Sequence, residues 1–483
     1  MGGFYGVAAR RSCVDEVFYG TDYNSHLGTR RAGMAFIDAD GCFTRQIHSL
    51  ENNYFRTKFE DDLKDFHGNT GIGVISDTDA QPIIINCHLG KFALVTVAKI
   101  NNTNEIEQRL LKRGIHFCEH GTAALNPTEL VGALISEGAT YVDGIENVYR
   151  NVKGSCSMLL LTPDGIIAAR DALGRTPVLL ARKDDAMAVS SESCAFPNLG
   201  YHYERDLGPG EVVLIKADSE EVLRKPGEHQ QVCAFLWTYY GYPPCDYEGR
   251  NVDAMRYDTG LEMGRDDKTD IDFVAPIPDS GTCMALGYAA GIGKPFKRGI
   301  VKYTPTWPRS FTPGTQSRRE LVAKMKLIPN PSLIKGNKVM FCDDSIVRGT
   351  QLRDNVSDLR EAGAKEVHIR ISCPPLIYPC SFINFTSSKS PMELIARRVI
   401  ARLEGHDPAA PATADWEPSA ELLQRYATTG TPEYKALVEE IRKELKLDSL
   451  QFAPIETVVR SIGLPKCRIC THCFDGSSYD YNV

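Results

Sequence analysis

No run of eighteen apolar residues occurs in the 483-residue chain, so no segment is long enough to cross a bilayer as a helix. There is no excess of basic charge either. Lys and Arg number 55 against 62 Asp and Glu, a net charge of −7, which implies no basic face for nucleic acid or an anionic membrane. The first residues carry no basic segment followed by an apolar core, so no secretory leader and a cytoplasmic location are expected. No internal repeat is visible. Behind Met1 stand Gly2 and Gly3, and no thiol comes before Cys13.

Cysteine is otherwise plentiful, with fifteen residues in a chain too large to need a disulfide scaffold. Cys87, Cys118, Cys156, Cys283 and Cys342 sit singly in apolar runs and read as buried small hydrophobes in a reducing compartment. The closing group Cys467, Cys470 and Cys473 is different, because Cys470-Thr471-His472-Cys473 has the spacing shared by redox dithiols, zinc half-sites and iron–sulfur half-sites.

The length accommodates two or three domains. Up to about residue 230 the pattern is of short apolar strands: Gly33 to Ile37, Ile83 to Ile85, Phe92 to Val95, Ser157 to Leu161 and Val212 to Ile215. Turn pairs such as Asp164-Gly165 and Pro209-Gly210 separate them, with few helices, for example Thr128 to Glu137. This predicts stacked antiparallel sheets flanked by helices. Beyond Tyr239-Tyr240-Gly241-Tyr242-Pro243-Pro244, strands and helices alternate. Strands at Asp272 to Pro276, Val339 to Cys342 and Val367 to Ile371 and helices at Met284 to Ile292 and Thr350 to Ala362 predict a parallel βαβ sheet, with Gly363 ending the last helix. Residues 404–432, with Pro408, Pro411 and Pro418 among alanines, read as an insertion; Tyr434 to Leu447 reads as a charged amphipathic helix.

The most specific stretch is Val339-Met340-Phe341-Cys342-Asp343-Asp344-Ser345-Ile346-Val347-Arg348-Gly349-Thr350. An apolar strand delivers a loop to the carboxyl edge of a parallel sheet, where open α/β folds bind ligands. Backbone N–H groups of Ser345, Ile346, Val347, Arg348, Gly349 and Thr350, with the following helix N-terminus, can hold a phosphate. Asp343 and Asp344 offer oxygens to vicinal hydroxyls, directly or through hydrated Mg²⁺. The string is similar to the phosphoribosylpyrophosphate (PRPP) signature of type I phosphoribosyltransferases, and above all to that of the glutamine PRPP amidotransferases.

Other segments resemble the same family. Pro276-Ile277-Pro278-Asp279-Ser280-Gly281-Thr282 is similar to its pyrophosphate loop; the resemblance implies pyrophosphate contacts from Asp279 and Ser280, with Ser280 near the metal beside Asp343 and Asp344. Lys302 to Pro313, which contains Arg309, is similar to the mobile loop that closes over PRPP and excludes water. It departs from the family at Tyr303-Thr304-Pro305, where an Asn-Arg-Tyr is usual. In the N-terminal half, Tyr19 to Gly28, Arg170 to Pro177, Ser190 to Ser193 and Asp206 to Glu211 echo the family's N-terminal-nucleophile (Ntn) hydrolase domain. The implied fold is α/β: an αββα Ntn-like glutamine-amidotransferase domain over 1–232 and a phosphoribosyltransferase domain over 233–403. The insertion 404–432 and a tail of helices and Cys-x-x-Cys over 433–483 complete the chain.

The resemblance fails at the positions that glutamine hydrolysis needs. That reaction uses an N-terminal thiol activated by its own amine, oxyanion donors, and charged partners for the amino-acid end of glutamine. Gly2 occupies the nucleophile position. Val97-Ala98 stand for the oxyanion Asn-Gly, Ser76 for the motif arginine, and Pro127 for the aspartate. Only cleavage after Ser12 would make Cys13 a terminal thiol, at the cost of the first strand, so a partly buried thiol is the better reading of Cys13.

One subgroup of the family carries a [4Fe–4S] cluster, and the resemblance implies Cys233, Cys380, Cys470 and Cys473 as its ligands, with zinc in the same cage or free thiols as alternatives. The expected activity is formation of 5-phosphoribosylamine from PRPP and ammonia, free or supplied by a partner. Mg²⁺ is the expected metal, purine nucleotides the expected effectors and a homo-oligomer the expected assembly. The alternatives are a non-catalytic PRPP- or nucleotide-binding regulator acting with a complete amidotransferase, and an enzyme using a different amine.

Overall fold

The computed structural model describes residues 2–51, 53–118, 125–303, 326–383, 390–410 and 416–477. Two antiparallel sheets make up the N-terminal half. A seven-stranded sheet runs in the order His202–Asp206, Leu179–Lys183, Ala186–Ser190, Gly2–Ala9, Thr70–Ser76, Arg31–Ile37 and Phe43–Ser49. A six-stranded sheet runs in the order Glu220–Arg224, Val212–Ile215, Gly165–Ala169, Gly154–Thr162, Gly90–Ile100 and Ile83–Cys87.

The alternation of side chains along each strand builds four layers. From Gly2–Ala9, Phe4 and Ala8 pack with Val95, Leu159, Leu161 and Ile166 of the other sheet. Tyr5, Val7 and Ala9 point the opposite way, onto the helix Val14–Asp22 and onto Phe55 and Phe59. The outer face of the six-stranded sheet is covered by Thr103–Lys112, Pro127–Ile135 and Tyr141–Asn151, through Ile106, Leu130, Leu134, Ile145 and Val148. Each large apolar side chain enclosed in this way contributes roughly 1.5–3 kcal/mol relative to exposure.

The C-terminal half is built on a four-stranded parallel sheet in the order Phe273–Pro276, Lys338–Asp343, Glu366–Ile371 and Ser449–Phe452. Its last strand comes from beyond the segment 404–432. That segment contains the helix Ala420–Ala427, which sends Leu423 and Tyr426 into the core, and the His406 ring lies 4.4 Å from that of Trp416. The chain end returns to the start of this half: Ile469–Cys470 pairs in parallel with Val232–Cys233, which sets Cys233 opposite Cys470.

Two local expectations need correction. Cys156 and Cys342 are buried, but Cys118 is exposed and Cys87 and Cys283 are only half-buried. Each of these three lies outside the tightly enclosed sheet faces, so its short apolar context did not guarantee enclosure. Cys13 is fully buried just ahead of the helix Val14–Asp22, and burial pushes its thiol well up.

Candidate functional site

The strand Lys338–Asp343 lies second in the parallel sheet and ends in the acid pair, and the helix Thr350–Glu361 begins after the loop. Gly349 makes the turn at φ +78°, a left-handed conformation that side chains seldom adopt, and a Cβ there would lie 2.5 Å from Ile395 Cδ1. The loop is tied to the sheet edge. Asp344 N–H donates to Asp343 Oδ1 (2.9 Å), Ser345 Oγ donates to Asp344 Oδ2 (2.5 Å), and Ser372 Oγ donates to the Asp344 carbonyl (3.0 Å). Burial and the charge of Asp344 push the Asp343 carboxyl well above the usual carboxylate range.

The candidate pyrophosphate loop meets this strand end through Ile277 N–H, which donates to the Cys342 carbonyl at 2.9 Å. It leads from Phe273–Pro276 into the helix Thr282–Ile292. Lys302 Nζ lies 2.6 Å from Asp279 Oδ2, so those two predicted residues are already paired. The Arg348 guanidinium is engaged with Glu393. Arg309 lies outside the described residues, as does most of the candidate mobile loop.

Two features here had no signal in the residue pattern. The peptide between Pro278 and Asp279 is cis. Arg256, on the helix Val252–Asp266, is 3% exposed and donates to the carbonyls of Trp237 (2.8 Å) and Gly241 (3.0 Å). Burial lowers its pKa, and the charge of Asp344 opposes that shift. A basic residue among the apolar and polar positions of a helix gave no indication that it would be buried within reach of the Asp344 charge.

The N-terminal cleft is very different. Gly2 lies opposite Ser76 in the sheet, and a Cβ on Gly2 would lie 2.5 Å from the Ile75 carbonyl oxygen. The cleft lined by Gly2, Leu27, Val97, Thr176, Pro177 and Glu192 encloses about 10 Å³, room for one water at most. Val97 and Ala98 lie within a regular ladder, opposite Ser157 and Cys156. Ser76 Oγ accepts from the N–H groups of Thr78 (3.2 Å) and Asp79 (3.1 Å). Pro127 opens a helix capped by Asn126, whose side chain accepts from Thr128 N–H. The four positions therefore supply no thiol, guanidinium or carboxylate to this cleft.

The tail cysteines converge from three segments. Cys233 and Cys470 face each other across the short ladder, and Ile377 and Tyr378 N–H donate to the Cys473 carbonyl at 3.0 and 3.1 Å, which carries the Cys380 segment alongside. Burial, together with the charges of Cys233, Cys380 and Cys470, pushes the Cys473 thiol well up. Cys380 Sγ accepts from the N–H groups of Phe382 (3.5 Å) and Ile383 (3.3 Å). Burial raises the Cys470 thiol, and the Arg175 guanidinium opposes the rise. Tetrahedral zinc with Zn–S bonds of 2.3 Å needs sulfurs about 3.8 Å apart. Among the described residues, no three of these four sulfurs lie within 4.8 Å of one another. Cys467 is exposed.

Comparison with known proteins agrees with this arrangement. The family described as glutamine amidotransferase domain matches residues 68–198. An amidophosphoribosyltransferase of Methanothermobacter thermautotrophicus is 30% identical over 98% of this chain and 93% of its own length. That of Archaeoglobus fulgidus is 34% identical over 80% of this chain and 85% of its own. The solved glutamine PRPP amidotransferase of B. subtilis, complexed with ADP and GMP, superposes with a TM-score of 0.82 at 28% identity, covering 98% of this chain and 96% of that one. The fold shared with it is an Ntn-hydrolase-like sandwich joined to a phosphoribosyltransferase sheet.

Proposed function

This chain belongs to the amidophosphoribosyltransferase family, and from that premise we propose that it forms 5-phosphoribosylamine from PRPP and ammonia, the first step of purine biosynthesis, without hydrolysing glutamine. The observation that carries this reading is the contrast between two sheet edges. One offers an acid pair, a turn open to phosphate and two helix N-termini. The other has a cleft the size of one water, with Gly2 pressed against the Ile75 carbonyl.

In this reading the N–H groups of Ser345, Ile346, Val347, Arg348, Gly349 and Thr350 grip the 5′-phosphate, and Asp343 and Asp344 hold the ribose hydroxyls. Asp279, Ser280, Lys302 and Arg309 line the pyrophosphate side, which requires the Lys302–Asp279 pair to open. Ser280, Asp343 and Asp344 are the oxygen donors suited to Mg²⁺, which when bound neutralises charge on the departing pyrophosphate. The raised Asp343 carboxyl would ionise as a cation arrives. The residues do no covalent chemistry; they hold C1 of the ribose in line between ammonia and the leaving group. The ammonia is free or delivered by a partner subunit. Purine nucleotides are proposed as effectors, given the ADP and GMP bound by the B. subtilis relative, and a homo-oligomer as the assembly.

Cys233, Cys380, Cys470 and Cys473 would hold a [4Fe–4S] cluster. Four soft thiols, N–H donors to Cys380 Sγ and the nearby Arg175 charge support that donor set. The cluster would fasten the chain end to both halves.

A second reading is a PRPP- or nucleotide-binding regulator acting with a complete amidotransferase, supported by the closed glutaminase-side cleft and by Lys302 being paired with Asp279 rather than free for catalysis. Pyrophosphate release from PRPP with Mg²⁺, with and without ammonium, separates the two. Release only with ammonium supports the enzyme, and binding without turnover supports the regulator. Release with another member of an amine panel would identify a different nucleophile. Glutamate release from glutamine at ordinary enzyme rates would overturn the lost hydrolysis.

A further inference from the structure

A second group of metal-ligating side chains lies at the seam between the two halves, apart from the tail cysteines. Glu192 and Cys194 follow the strand Ala186–Ser190, Cys245 precedes the bridge Asp246–Tyr247, and His26 follows the helix Val14–Asp22. One carboxylate oxygen of Glu192 and the Sγ atoms of Cys194 and Cys245 all lie within 4.8 Å of one another, and all three residues are buried. The two carboxylate oxygens of Glu192 have different surroundings. Oε1 accepts from Tyr247 Oη (2.7 Å) and Tyr242 N–H (3.2 Å). Oε2 meets His26 Nε2 at 2.9 Å and Cys194 Sγ at 3.7 Å. Backbone and phenol donors thus hold Oε1, while Oε2 pairs with the Cys194 thiol and the His26 imidazole.

We propose that Cys194, Cys245 and a Glu192 carboxylate oxygen form a zinc site that fastens the glutaminase-like half to the start of the phosphoribosyl half, with His26 Nε2, paired to Glu192 Oε2 at 2.9 Å but outside their 4.8 Å group, drawn in as the fourth ligand. Two sulfurs, one nitrogen and one oxygen form a donor set that suits a borderline-soft, tetrahedral divalent ion and suits Mg²⁺ or Ca²⁺ poorly. The contrast with the tail is one of spacing. The three seam ligands crowd within 4.8 Å, close to what one ion needs after a small contraction, whereas no three of the tail sulfurs do. The Tyr247 hydroxyl and Tyr242 N–H also orient the carboxylate through its other oxygen. Binding expels one proton from each thiol to solvent, so affinity rises steeply with pH. Glu192 also lines the cleft beside Gly2, so the ion would brace the wall of that closed cleft.

The test is elemental analysis of the purified full-length protein, with the Cys194→Ser, Cys245→Ser and Cys470→Ser variants. The expected result is one zinc per chain that is lost with Cys194→Ser and with Cys245→Ser and kept with Cys470→Ser. Cobalt loading of the wild-type protein gives a second readout that does not depend on any variant folding. A thiolate-to-cobalt band with the intensity of two thiolates per metal is expected, together with a thermal midpoint that a chelator lowers. Zinc content unchanged by both seam substitutions would overturn the proposal. So would a cobalt band with the intensity of four thiolates, no cobalt band at all, or a Cys194–Cys245 disulfide in protein purified with reductant and zinc.

Discussion

The two sheet edges of this chain have the same kinds of parts and use them in opposite ways. At the parallel edge, Asp343 and Asp344 are crowded together, and burial with the neighbouring charge pushes the Asp343 carboxyl well above the usual carboxylate range, an arrangement that costs stability. At the antiparallel edge, the cleft around Gly2 is filled and its polar atoms are paired: Ser76 accepts backbone N–H groups, Tyr240 Oη donates to the Leu27 carbonyl (3.0 Å), and Glu192 is held by Tyr247. A carboxyl held at a shifted pKa beside a like charge points to a working site, and groups paired within the protein point to a structural one.

The largest effect expected from this comparison is at the acid pair. Asp343→Asn or Asp344→Asn should lower ammonium-dependent pyrophosphate release by roughly 10²- to 10³-fold, the range for losing one preorganised electrostatic contact. The Asp343 carboxyl has its folded pKa raised, so its ionisation destabilises the fold as pH rises past the usual carboxylate range. Asp343→Asn should therefore raise the thermal midpoint at pH 7 while it removes turnover. A fall in both would break the comparison, since it would make Asp343 a structural group.

Next in size is the tail cage. Under the proposed cluster, anaerobically purified protein should contain iron, and Cys380→Ser or Cys473→Ser should abolish that iron and lower apparent stability by about 3–4 kcal/mol, the scale for losing a tightly bound group. Unchanged iron with either variant would remove that thiol from the ligand set. Smaller again is Gly2→Cys. The new side chain meets the Ile75 carbonyl, so a destabilisation of about 1–3 kcal/mol is expected, with no glutamate released from glutamine. Glutamate release by this variant would show that one missing side chain, rather than a remodelled cleft, separates the two edges.

Much of this was legible because strand and phosphate-loop signals are local. The run Val339 to Cys342 lies within the observed strand Lys338–Asp343, Val212–Ile215 has the predicted bounds, and the helix after Gly349 begins at Thr350. What was not legible depends on pairing between distant segments. Nothing in Val232–Cys233 announces that two residues will form a ladder with the chain end, and nothing in residues 404–432 announces that the sheet resumes after them at Ser449. Glu192, Cys194 and Cys245 meet only because the turn after Ala186–Ser190 packs on the linker, a contact that no periodicity encodes. The expectation of burial for Cys118 failed because short apolar context does not report which loop covers it.

The smallest prediction sharpens the antiparallel side. Asp79 sits beside Ser76, to whose Oγ it donates its N–H, and burial pushes its carboxyl up to about 6. An unfolded Asp titrates near 3.8, so the folded state binds the extra proton between these values, and stability falls as pH climbs from about 4 to 6. The loss is fully present at pH 7. The whole shift corresponds to ~3 kcal/mol, and the carboxyl keeps some contact with water, so about 1–2 kcal/mol is expected in practice. Asp79→Asn should recover that amount at pH 7 and almost none near pH 3.5, with ammonium-dependent turnover unchanged. Unfolding measured at both pH values checks the sign. An equal gain at both would mean that packing, not charge, sets the cost. A loss at pH 7 would mean that the Asp79 carboxylate has a partner holding it ionised, and the antiparallel edge would then retain a charge of the kind a substrate pocket keeps.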